Sequence, residues 1–130
     1  MTLRELSQLY HLNWEIEREK NRLRELEAAA TNTAVKITGL PHVSGVSDKT
    51  AIAAQIADCR IMLKAKISQS MAEYNRLIRY INDIPDSLTR EIFILRFVEG
   101  LSWDQVAAHV GGGNTGDGVK KVCYRFLRKR

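Results

Sequence analysis

Residues 99–112 read Glu-Gly-Leu-Ser-Trp-Asp-Gln-Val-Ala-Ala-His-Val-Gly-Gly, one short capped helix set between glycine stops. Gly100 can close a preceding helix in the left-handed conformation that costs glycine nothing. Ser102 can cap the next helix, and Gln105 stands where its amide reaches back to the cap. A basic helical segment follows directly. Helix, tight turn, short helix and basic helix in that order form the grammar of a helix-turn-helix, and its expected ligand is DNA.

The flanking segments fit that grammar. In residues 87–98 the apolar Leu88, Ile92, Leu95 and Val98 fall on one face of a helix, widened by Phe93, Ile94 and Phe97, which predicts a mostly buried supporting helix. Residues 103–110 form the positioning helix, with Trp103, Val106, Ala107 and Val110 inward; Trp103 is read as core and not as a base-stacking ring. A recognition helix is predicted at about 116–129. Val119, Cys123 and Phe126 face its core, Val122 or Leu127 lies at the edge, and Lys120, Lys121, Tyr124, Arg125 and Arg128 point outward. Asn114 or Thr115 can cap this helix, and Asp117 suits its first turn, where negative charge is favourable.

Charge is concentrated in the same place. The chain carries +5 from 20 basic and 15 acidic side chains over 130 residues, yet Gly118 to Arg130 holds six basic residues and no acid. Residues 1–117 therefore sum to −1, as expected where one face attracts a polyanion and the rest does not. Exposed lysine and arginine neutralise phosphates and release counterions, and arginine can also bind guanine through two parallel hydrogen bonds.

Upstream, Thr2 and Glu5 have capping-box spacing, and no glycine or proline interrupts Leu3 to about Ala30, which allows one long helix. Leu9, Leu12, Ile16, Leu23 and Leu26 mark its seam, with Glu19 the one charged member and charged residues along the flanks. Leu3, Leu6, Tyr10 and Trp14 fall largely off the seam. They form a second apolar face that packs either on the rest of this chain or on another partner. Residues 31–47 contain Gly39, Pro41 and Gly45 without helical period, which predicts a mobile loop. Ser47 can cap a second long helix from Asp48 to about Asp83, whose stripe runs through Ile52, Ile56, Cys59, Leu63, Ile67, Tyr74, Leu77, Ile78 and Ile81. The stripe drifts around the axis as a straight helix requires, and the two helices are expected to pair antiparallel. Pro85 breaks the second helix and Asp86 or Ser87 opens the next segment. The expected fold class is all-α, with a coiled-coil-like hairpin over 1–84 and a helix-turn-helix domain over 85–130.

Other classes of function find little support. Cys59 and Cys123 lie far apart, and His11, His42 and His109 fall in separate segments, so no metal-ligand spacing exists and no metal or cofactor is expected. No nucleophile, base and orienting acid fall on nearby turns, so no enzyme is expected. Gly111-Gly112-Gly113 is not followed by lysine at the spacing of a nucleotide-binding loop and reads as a turn. No apolar run has the length of a membrane span, and Arg4 and Glu5 interrupt any leader-like run, which predicts a cytoplasmic protein without a membrane partner.

The stretch Ile92 to Arg130, with Leu95-Arg96-Phe97-Val98-Glu99-Gly100-Leu101-Ser102-Trp103 and then Val106-Ala107, resembles the fourth region of bacterial sigma factors, the part that reads the −35 promoter element. Val119-Lys120 matches the usual start of its recognition helix. With its N-terminal hairpin, the whole chain resembles the small sigma-region-4-like proteins of phages and prophages of Gram-positive bacteria, related to late-transcription regulators of the ArpU and RinA type. The run between Gly111 and Val119 is about two residues longer than the sigma pattern. The resemblance implies a transcription regulator in a bacterial host that binds double-stranded DNA through Ser102, Asn114, Thr115, Lys120, Lys121, Tyr124, Arg125 and Arg128. Host RNA polymerase and a second copy joined through the hairpin are its further implied partners. Two other readings share the pattern: a small-terminase-like packaging adaptor, which generally carries its DNA-binding element first and not last, and a module that only grips polymerase.

Overall fold

Helices account for all the regular structure among the described residues, which in this computed structural model are 1–36 and 43–129. The chain is all-α. Its helices are α1 (Leu3–Leu6), α2 (Gln8–Lys36), α3 (Val43–Asn82), α4 (Ser87–Phe93), α5 (Trp103–Val110) and α6 (Gly116–Arg128), with a π-helical turn at Ile94–Val98 after α4.

Local chemistry sets most of these boundaries. Thr2 caps α1 through the expected box, its N–H donating to Glu5 Oε2 at 2.8 Å while its hydroxyl accepts from Glu5 N–H at 3.3 Å. The single helix expected from Leu3 is divided at Ser7 into α1 and α2; there the Leu3 carbonyl accepts both the Ser7 hydroxyl at 2.9 Å and the Ser7 N–H at 3.1 Å. Within the loop expected over 31–47, residues 31–36 and 43–47 are helical instead: α2 continues to Lys36 and α3 begins at Val43, ahead of the expected Ser47 cap. Thr31 lies inside its helix, with its hydroxyl donating back to the Glu27 carbonyl at 3.0 Å. The weak formers beyond it each cost only a few tenths of a kcal/mol, and Gly45 about 1 kcal/mol. The expected mobility falls on residues 37–42, which lie outside the described residues.

After Pro85, Asp86 is the residue that opens α4. Its Oδ2 accepts from Thr89 N–H at 3.0 Å and from the Thr89 hydroxyl at 2.7 Å, which satisfies a buried threonine and holds the Asp86 carboxyl below its ordinary pKa. Arg90 secures the break by donating to the carbonyls of Ile84 at 2.7 Å and Pro85 at 3.2 Å. The segment expected as one helix over 87–98 widens at its end, where Glu99 N–H reaches back five residues to the Ile94 carbonyl at 3.0 Å. Gly100, at φ +73°, then turns the chain, and Leu101 N–H bonds to the Leu95 carbonyl at 3.0 Å.

Two compact units divide the chain, one formed by Met1–Leu12 with Ser70–Arg130 and the other by Asn13–Gln69. Pro85 breaks a helix inside the first unit, because the apolar residues before and after it share one core. That core joins Leu6, Leu9, Leu77, Ile81 and Ile84 to Ile92, Phe93, Leu95, Phe97, Val106, Ala107, Val119 and Cys123. Leu6, read as part of an off-seam face, is fully buried here, whereas Leu3 and Tyr10 are exposed. Leu88, read as part of the buried face of its helix, is also exposed, and Thr89 takes the inward place. Phe93 is the centre, with Phe97 and Phe126 edge-on at 5.4 and 5.5 Å between ring centroids.

In the second unit, Lys66 lies 3.8 Å from Glu15 and 4.0 Å from Glu19, and Arg60 lies 3.2 Å from Glu27. Later residues of α2 thus meet earlier residues of α3, so the two segments run in opposite directions. Glu19, the charged member of the seam, also accepts from the buried Cys59 thiol at 3.6 Å, and burial together with that carboxylate raises the Cys59 pKa. Trp14 is 58% exposed in this unit.

Candidate nucleic-acid interface

The start of α5 is fastened by the capping box legible at residues 102–105. Ser102 N–H donates to Gln105 Oε1 at 2.9 Å, and the Ser102 hydroxyl accepts from Gln105 N–H at 3.2 Å. The exit from α5 uses Gly111, Gly112 and Gly113 at φ +69°, +64° and +76°, a run of left-handed residues that only glycine adopts without strain. Asn114 closes this turn, its side-chain amide donating to the Gly111 carbonyl at 2.7 Å. Thr115 caps α6, accepting from Gly118 N–H at 3.0 Å. The two candidate caps therefore divide the work.

Gly116, the first residue of α6, is buried against α5, and a Cβ there would collide with the Asp104 carboxylate. The close approach sets the two helix starts side by side. Ser102, Trp103 and Asp104 then share one groove with Thr115, Asp117 and Lys120.

Along α6, Val119 and Cys123 are fully buried and Phe126 half-buried. Burial pushes the Cys123 thiol up to about 12, against a smaller opposing effect of nearby Arg96. Lys121, Arg125 and Arg128 are all exposed and stand at i, i+4 and i+7, so they make one stripe on the side of the helix opposite Val119 and Cys123. Among the described residues, none of the three has an acidic partner. A stripe of this kind can neutralise successive phosphates, and its arginines can pair with guanine edges. Asp117, also exposed, lies one turn before Lys121 on the same side.

Lys120 and Tyr124 stand apart from this stripe. Both were expected to point outward, and both are half-buried. The Lys120 ammonium lies 5.6 Å from the centroid of the Tyr124 ring, and that ring meets Trp103 edge-on at 6.2 Å. Beyond it the Arg96 guanidinium lies 4.6 Å over Trp103 and donates to the Leu101 carbonyl at 2.9 Å. Two cations thus flank a pair of rings in a series that runs from the turn after α4, across α5, to α6. Trp103 packs on the core as expected, but only half-buried. Sequence reading missed both this series and the pairing of Asp104 with Gly116. Their members are separated by intervals without period, so only the tertiary fold brings them together.

Among the described residues no group of three His, Cys, Asp or Glu side chains could hold a metal ion, and no helix is long and apolar enough to cross a membrane. Compared with known proteins, the chain matches no family model, no curated protein and no solved structure.

Proposed function

We propose that this chain is a non-catalytic DNA-binding transcription regulator of phage or prophage type, built as an antiparallel helical hairpin followed by a helix-turn-helix. The observation that carries the reading is the division of α6 into a buried side at Val119 and Cys123 and an opposite side bearing Lys121, Arg125 and Arg128. A helix held on one side by a core and lined on the other by cations that have no acidic partner among the described residues suits a DNA groove. The capped turns before α5 and α6 support it by fixing where that helix begins.

In this reading Lys121, Arg125 and Arg128 contact DNA directly, with Lys120 and Tyr124 at the edge of the contact. Ser102, Asn114 and Thr115 shape the turns that present it. The paired segments of α2 and α3 serve self-association, and host RNA polymerase in the bacterial cytoplasm is the second partner. A mobility-shift titration with phage or prophage promoter DNA tests the proposal. Binding by the full chain that weakens about tenfold or more in Arg125→Ala agrees with it. Undetectable binding, or equal binding by the variant, contradicts it.

A further inference from the structure

A cleft of about 390 Å³ opens in the first unit between α2 and the turn that leads into α5. Its size is that of a small-molecule site. Arg96, His11, Ser7, Tyr10, Ser102 and Gln105 line it, and no carboxylate does.

The lining is rich in donors that the fold leaves unused. Arg96 spends one N–H on the Leu101 carbonyl and has no acidic partner among the described residues, although it is half-buried. Gln105 uses its side-chain oxygen on Ser102 N–H, which leaves its amide N–H groups for a ligand. Ser102 uses its oxygen as an acceptor, which leaves its O–H. His11 is exposed on α2, with its ring edge-on to Tyr10 at 5.6 Å. A guanidinium, an imidazole, an amide and a hydroxyl facing one space without a carboxylate match the several acceptor oxygens and negative charge of a phosphoryl group. The Tyr10 and Phe97 rings offer apolar surface for the group that carries it.

We infer that this cleft binds a phosphoryl group, supplied by a small organic phosphate ester or by the backbone of a nucleic acid. The site is separate from the cationic stripe of α6, and it stands whether or not α6 reads DNA. Occupancy ties α2 to the turn before α5, since the ligand touches both.

The test is an NMR titration of the full chain with inorganic phosphate and with adenosine monophosphate, at ionic strength held constant with chloride. Saturable shifts are expected at the amides of Gly100 to Gln105 and near His11. Affinity should fall about tenfold or more in Arg96→Gln, which loses a charged donor, and by a smaller factor in His11→Ala. Because Arg96 also holds the turn, the exposed His11→Ala keeps the test decisive if Arg96→Gln does not fold. Duplex DNA that displaces the monophosphate identifies the backbone as the source, whereas simultaneous binding identifies a free ester. The inference is overturned if chloride alone gives the same shifts, if shifts appear only on α6, or if affinity is unchanged in every variant that folds.

Discussion

At the scale of single residues, the junction of α5 and α6 depends on the absence of a side chain at Gly116. A methyl group there meets the Asp104 carboxylate, and the Asp104 backbone nitrogen lies only 3.3 Å from the same position. Gly116→Ala should destabilise the protein by about 1–3 kcal/mol in urea unfolding. The penalty should shrink, without vanishing, in an Asp104→Ala background, because the side chain is removed but the backbone stays. An equal penalty in both backgrounds would show that the carboxylate is not the obstacle. Asp86 makes a different kind of prediction. Its folded pKa is held down by the Thr89 hydroxyl and then by Thr89 N–H. Its contribution is therefore complete above the unfolded carboxylate pKa and is lost as pH falls through the lower folded value. Unfolding measured between about pH 6 and about pH 2 should show a shallower acid dependence in Asp86→Asn than in the parent chain. An identical slope would remove the cap from the account.

At the scale of elements, Phe93 holds α4 to α6 through Phe126 and to the π-helical turn through Phe97. Phe93→Ala should cost about 3–5 kcal/mol in denaturant unfolding, the range for emptying a large buried aromatic site. A loss below about 1 kcal/mol would contradict its central place. The helices themselves were largely legible in the sequence, because caps act within a few residues. The Thr2 and Glu5 box, the Ser102 and Gln105 box and the break at Pro85 are all local chemistry. The π-helical turn was not legible. Its hydrogen bond from Glu99 to Ile94 accompanies the burial of both Leu95 and Phe97, a tertiary demand that no spacing announces. The helical stretches at 31–36 and 43–47 were missed because weak formers and a glycine were read as a stop. Propensity is a weak prior at each position, and a long helix already under way can override it.

At the scale of the molecule, the surface of α6 was more legible than its anchoring. The i, i+4, i+7 spacing of Lys121, Arg125 and Arg128 needs only the helix to exist, and their exposure follows from Val119 and Cys123 being inside. Lys120 and Tyr124 sit on the flank, where the same periodicity leaves the outcome to neighbours, and Trp103 supplied one that the sequence does not position. The division of the chain into units was also hidden, since Leu6 of α1 and Leu9 of α2, far from the C-terminal segment in sequence, join its core together with Leu77 and Ile81 at the end of α3. In the proposed function the cationic stripe of α6 grips DNA phosphates. Its most direct test is the dependence of duplex affinity on salt, measured by fluorescence anisotropy for the full chain and for Lys121→Ala/Arg125→Ala. The logarithm of affinity should fall linearly with the logarithm of salt concentration, and the double variant should lose about 2 from that slope. A salt-independent affinity, or a slope unchanged by the double substitution, would contradict the claim.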